Sequence, residues 1–177
     1  MPVDPHRVAD APRSAFAGTG WRHLGPLHDP LSGEGARLNG GRFNPPDSFA
    51  VLYLCTSRPC AVAEMRRLGE RQGIGVENLL PRVLYRYEIQ LERVLDLTAA
   101  EDARRVGISR QVLTGPDWSE CQALGVVAHA LGIQAIRSPS AAGVDDVLAV
   151  FVQHIGIGTV EPSLAQEWHS ISDLGSS

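Results

Sequence analysis

The chain has 177 residues, 44% hydrophobic and 20% charged, with a net charge of −4. That is enough apolar material for one globular domain and too ordinary a charge content for a disordered tail, and the acidic balance argues against holding nucleic acid by phosphate attraction. Cys55, Cys60 and Cys121 are odd in number and form no CxxC pair, which disfavours a disulfide framework or structural zinc and fits reduced thiols in a cytoplasm, while neither a membrane-length apolar run nor a signal-peptide pattern occurs.

In chain order, the first twenty residues, rich in Ala, Pro and Gly, read as a partly loose lead-in, followed by a short strand at Trp21 to Leu24. Gly25 to Ser48 is dense in Gly, Pro, Asn and Asp and reads as a long loop of the kind that carries function. Ala50 to Leu54 (AVLYL) is a buried strand, and Pro59 suits the first turn of a helix reaching about Gly73. Leu84 to Leu91 and Val94 to Leu97 read as two strands, and Ala99 to Val106 as a short helix. After the Gly115-Pro116 break, Asp117 and Glu120 have capping-box spacing for a helix over Trp118 to Leu131. Ile133 to Ile136 is a strand, Ser138 to Gly143 a loop, and Val147 to Val152 and Gly156 to Val160 a closing pair of strands. Ser163 to Leu174 has helical spacing. With no regular βαβα alternation, the order predicts an α+β fold: one domain over 1–177, its core at about 20–160 and a C-terminal helix at 163–174.

The densest chemistry is GEGARLNGGRFNPP, Gly33 to Pro46, where Arg37 and Arg42 lie among glycines and asparagines. Guanidinium groups beside flexible backbone amides make a cradle for phosphate or diphosphate, although the segment lacks the GK[ST] ending of a P-loop and by composition alone reads first as a solvated glycine-rich turn. The helix after Pro59 places Ala61, Glu64, Met65 and Leu68 on one stripe and Arg66, Arg67, Glu70 and Arg71 on other faces. Glu64 is then an inward carboxylate needing a partner or a purpose, with Arg42 or Arg22 as candidate partners and a plain structural ion pair as the alternative. Tyr53, in the preceding strand, can pack its ring and offer its hydroxyl to a polar site or simply fill the core. Ser119 opens the capped helix and Ser140 sits in SPSAAG; either could orient a substrate, and either could be an ordinary cap or turn serine. No GxSxG, HExxH or GxGxxG occurs, so a hydrolase nucleophile, a metal centre and a Rossmann site are unsupported.

Taken together, WRH at Trp21 to His23, GEGARLNGGRFNPP, VLYL at Val51 to Leu54, AVAEM with Glu64, GPDWSECQALG and GIQAIRSPSAAG resemble the RES domain over roughly Trp21 to Val152. His23 stands where tyrosine is often found, and Phe43 where tryptophan is common. The resemblance implies a compact ADP-ribosyltransferase-like domain with a mixed, mainly antiparallel central β-sheet and surrounding helices. It implies a bacterial toxin of a toxin–antitoxin pair that breaks the nicotinamide–ribose bond of NAD. Glu64, Arg42 and Tyr53 would be catalytic, and Arg22, His23, Arg42, Tyr53, Ser119 and Ser140 would bind NAD, with no metal and no cofactor beyond NAD as substrate. The ADP-ribose acceptor is open between water, phosphate and a protein side chain, such as one on phosphoribosyl pyrophosphate synthetase. The implied partner is an antitoxin with a DNA-binding helix-turn-helix part that blocks the site. Direct nucleic-acid binding and membrane association are not expected, and the compartment implied is the cytoplasm. A non-catalytic nucleotide- or partner-binding module is the alternative from another class.

Overall fold

The computed structural model describes residues 3–175. The lead-in is ordered: α1 (Pro5–Asp10) is capped by Asp4, whose carboxylate accepts from the His6 amide at 2.9 Å, and its Val8 is fully buried. It is followed by β1 (Ser14–Leu24), much longer than the four residues expected. The small residues Ala15, Ala17, Gly18 and Gly20 hide the strand from a search for bulky alternation. At Gly20 a Cβ would sit 2.6 Å from the tip of the Ile89 side chain on the neighbouring strand and 3.2 Å from Leu54 Cβ, so a larger residue would have to displace buried neighbours.

Within the expected loop lies α2 (Glu34–Asn39), and then β2 (Val51–Cys55) and α3 (Arg58–Gln72) appear close to their predicted bounds. The Ser57 hydroxyl caps α3 by accepting from the Cys60 amide, and Gly73 ends it with φ +66°. The two strands expected between 84 and 97 are one, β3 (Arg82–Asp96). Its length follows from its neighbours: it pairs with β1 over 83–94, and its last residues pair in parallel with β4 (Ala135–Pro139). Between them come α4 (Ala100–Arg105), an unpredicted α5 (Arg110–Thr114) and α6 (Ser119–Ala130). The chain ends with β5 (Asp146–Phe151), β6 (Val160–Trp168) and α7 (Ile171–Gly175).

The C-terminal helix expected over 163–174 is corrected by β6, as is the strand expected at Gly156 to Val160, which is a turn up to Thr159. Leu164, Trp168 and Ile171 do have helical spacing. Yet β3 leaves an edge open over 82–89, and pairing there buries Trp168 completely while Leu164 stays exposed. Backbone pairing plus one buried indole outweighs a weak helical pattern.

The sheet is mixed and mainly antiparallel, as expected, with β3–β4 its parallel pairing. It does not stay open: β1–β2–β5–β4–β3 closes through β1–β3 into a five-stranded barrel, with β6 added outside β3. Leu52, Leu54, Ile89, Leu148 and Val150 belong to one core cluster, while Val51, Phe151 and Ile136 share another with Leu124 and Ala128 of α6. Both faces of β2 are therefore covered, which explains its unbroken apolar run. A third cluster joins Ala61 and Met65 of α3 to Cys55, Leu84 and Trp168, and this fixes α3 beside the ends of β1 and β2.

Candidate active site

A cleft of about 560 Å³ opens where the ends of β1 and β2 meet α2, α3 and the turn after β4. Its walls include Arg22, His23, Arg42, Tyr53 and Glu64, so five of the seven residues singled out from sequence converge on one cavity.

The GGRFNPP segment is a rigid turn. Gly41 and Asn44 exchange backbone hydrogen bonds, the Phe43 amide donates to the Tyr53 hydroxyl at 2.8 Å, and that hydroxyl donates to Asn44 Oδ1 at 2.8 Å. Fully buried Asn44 also donates to the Ala36 carbonyl, and Gln122 of α6 donates to the Gly41 carbonyl at 3.0 Å. Gly41 is obligatory, since a Cβ would lie 2.5 Å from the Tyr53 oxygen. Three of the amides expected to cradle an anion are thus consumed within the turn, and what the segment presents is the Arg42 side chain. Tyr53 likewise differs from expectation: its ring faces the cleft but its hydroxyl serves the turn. Burial pushes its pKa upward, so it stays protonated. Arg37 is outside the cleft wall, paired with Glu34 at 2.6 Å.

Glu64, on the inward face of α3, has a partner other than those expected. Its Oε1 accepts from the Ser140 hydroxyl at 2.7 Å, and among the described residues no ion pair joins it to Arg22 or Arg42. Ser140 is only 3% exposed and its oxygen also accepts from the Ala142 amide at 3.1 Å. A buried hydroxyl donating to a carboxylate at that length is a strong, orienting bond, and it leaves Oε2 for a ligand. Ser119 is exposed and absent from the cleft wall; its backbone amide donates to Asp117 at 2.9 Å, which marks it as part of the helix start. Geometry therefore separates the two serines that the sequence left equivalent.

Arg22 is part-buried and donates from Nη1 to the carbonyls of Ser32 at 3.2 Å and Pro30 at 3.4 Å, while the Tyr87 hydroxyl donates to Pro30 as well. It thereby ties down the 25–33 segment that forms one wall. His23 is held near pKa 3 by burial, assisted by the charges of Arg82 and Arg22, so it is neutral.

Three wall arginines were missed. Arg67 and Arg71, expected on other faces of α3 than Glu64, reach into the cleft, and Arg82 enters from the start of β3. Trp118, at the start of α6, takes the guanidinium of Arg71 at 4.5 Å and that of Arg42 at 5.5 Å over its ring. A signal existed in the i, i+3, i+7 spacing of Glu64, Arg67 and Arg71, which puts all three on neighbouring turns. The cleft therefore holds five arginines against one carboxylate, and among the described residues none of the five has an acidic ion-pair partner. In a chain of net charge −4 this makes the cleft a locally positive region.

The RES domain model matches residues 19–170. The NAD(+) phosphorylase MbcT of Mycobacterium bovis and that of two strains of Mycobacterium tuberculosis are each 35% identical over 159 residues, spanning 84% of this chain and 86% of theirs. The crystal structure of the M. tuberculosis MbcT–MbcA toxin–antitoxin complex is similar with a TM-score of 0.83 at 31% identity, covering 93% of this chain and 91% of that one. The chain belongs to the RES domain family.

Proposed function

We propose that this chain is the toxin of a toxin–antitoxin pair and that it cleaves the nicotinamide–ribose bond of NAD, passing ADP-ribose to inorganic phosphate. The observation that carries the reading is the oriented Glu64–Ser140 pair in a cleft whose five arginines have no acidic ion-pair partner among the described residues. The names of the relatives, NAD(+) phosphorylase, favour phosphate over water or a protein side chain as acceptor. In this reading the compact barrel with its helices is an ADP-ribosyltransferase-like domain.

The chemistry asks little of acids and bases. Nicotinamide departs as a neutral base, carrying off the electrons of the C–N bond, and the ribose becomes oxocarbenium-like. Glu64 stabilises that positive charge and holds a ribose hydroxyl through its free oxygen. Ser140 fixes the rotamer of Glu64, so the stabilisation is preorganised. Along α3, Arg67 and Arg71 stand roughly 4.5 and 10 Å from Glu64 at the usual helical rise. NAD then lies along this face, its reactive ribose at Glu64 and its diphosphate between Arg67, Arg71 and Arg42. The Trp118 ring keeps the last two guanidinium groups in place. Arg22, His23 and the Tyr53 ring shape the nicotinamide end.

The solved relative is held by an antitoxin. A cognate antitoxin with a helix-turn-helix part would cover this cleft, where Leu27 is fully exposed and Leu31 and Leu38 are also exposed beside the wall. The test is nicotinamide release as a function of phosphate and NAD. Release that requires phosphate, with a KM for NAD raised at least tenfold in Arg71→Gln, supports the reading. Release that ignores phosphate moves the acceptor to water or protein, and no release with any acceptor removes the enzyme reading.

A further inference from the structure

Phosphorolysis needs two anions in one cleft, the diphosphate of NAD and the acceptor phosphate. The cationic groups of the wall fall into two sets. Arg42 feels Arg67 and Glu64 and shares Trp118 with Arg71, whereas His23 feels Arg82 and Arg22. The first set serves the diphosphate in the reading above and leaves the second without an anion.

Arg82 is the most conspicuous member of that second set. It lines the cleft, it is half-buried, and none of its five N–H donors meets a hydrogen-bond acceptor among the described residues; its Nε is fully buried and unpartnered. A guanidinium left this way costs stability unless something else completes it. Beside it the turn is stripped of a side chain: at Gly25 a Cβ would lie 2.8 Å from His28 Nδ1 and 3.7 Å from Arg82 Nη1. His28, whose ring has no hydrogen-bond partner among the described residues, and Arg82 thus present nitrogens to one small space, and Glu64 is the one carboxylate among the described residues that line the cleft. Two nitrogen groups so placed suit a tetrahedral oxyanion, which offers an oxygen to each.

We propose that Arg82 and His28, flanking Gly25, form the seat for the acceptor oxyanion, inorganic phosphate. This rests on the phosphorolysis reading. The seat holds hydrogenphosphate while one of its oxygens bonds to ribose C1 and the C–N bond breaks. Nicotinamide takes the electron pair, the phosphate keeps its proton, and the product is ADP-ribose 1-phosphate with charge balanced. The seat also gives the unpartnered donors of Arg82 a role as a binding group poised for a second substrate.

The experiment measures initial rates of nicotinamide release over a grid of phosphate and NAD for the native chain, Arg82→Gln, Arg82→Lys and His28→Ala. In parallel, binding of inorganic phosphate alone is followed by calorimetry. Arg82→Gln is expected to raise the KM for phosphate at least tenfold with the KM for NAD within about twofold. Arg82→Lys should recover part of the loss, and His28→Ala, at an exposed position, should shift in the same sense by a smaller factor. A rise in the KM for NAD instead, or no change in either constant, overturns the seat. If the native chain releases no nicotinamide, the phosphorolysis reading fails by itself. Phosphate binding that is lost in Arg82→Gln then still supports the seat, and binding indifferent to Arg82 overturns it.

Discussion

Replacing Ser140 by alanine removes the hydroxyl that donates to Glu64 at 2.7 Å and leaves the carboxylate otherwise in place. Ser140 is almost fully buried, so water cannot readily replace the bond. A hydrogen bond to a charged group is worth about 1.5–3 kcal/mol. If that orientation is needed in the transition state, kcat for nicotinamide release falls by roughly 10- to 150-fold at 1.36 kcal/mol per decade. The change should fall on kcat with little change in the KM for NAD, because the bond orients Glu64, the group proposed to stabilise the transition state, and does not touch the diphosphate. The assay is steady-state nicotinamide release beside Ser119→Ala, whose serine is exposed at the start of α6 and should stay within about twofold of the native rate. A full-rate Ser140→Ala together with a crippled Ser119→Ala would refute the assignment of the serine and the pairing on which it stands.

Three further outcomes follow from the same structure. Tyr53→Phe strands the Phe43 amide and Asn44 Oδ1, so denaturant unfolding should show a loss of about 1–3 kcal/mol; a drop in rate at unchanged stability would contradict the view that this hydroxyl serves the turn. Gly125→Ala would bring a Cβ to 1.8 Å from the Phe43 carbonyl oxygen, and forcing α6 off the turn should cost about 1–3 kcal/mol or more; an unchanged melting temperature would refute the close packing. His23 has a folded-state pKa of about 3 against 6.5 unfolded, so the unfolded chain binds more protons between these values. Its contribution is present above pH 6.5 and is lost as pH falls toward 3, with a slope of up to about 1.4 kcal/mol per pH unit. Unfolding midpoints across that range should flatten in His23→Gln, and a ring that titrates near 6.5 by NMR would count against it.

How much could be read in advance depended on the range of the interaction. The β2–α3 unit was legible because a continuous apolar strand, a proline at the helix start and Gly73 at its end are local signals. Glu64 was legible as an inward carboxylate, and the resemblance gathered Arg22, His23, Arg42 and Tyr53 around it. The serine was not, because the choice turns on whether the 138–143 loop or the start of α6 reaches α3, a matter of tertiary geometry. Arg67 and Arg71 were lost to a helical-wheel reading that sorts by polarity; long side chains off the apolar stripe can still bend back into a cleft. Arg82 gave no local sign, since its role arises only when the start of β3 meets the Gly25 turn. β6 was mistaken for a helix because the deciding factor, an open edge on β3, lies 71 to 86 residues upstream of its partners in sequence.

The role of Glu64 is tested by nicotinamide release from nicotinamide-labelled NAD by the isolated protein and by Glu64→Ala, with phosphate present. Rapid release by the native chain is expected, with a loss on the order of 10²–10³ in the variant, the scale of removing one preorganised electrostatic group. Equal release by both proteins would move the chemistry away from Glu64, and no release by the native chain would leave the cleft as a binding site alone.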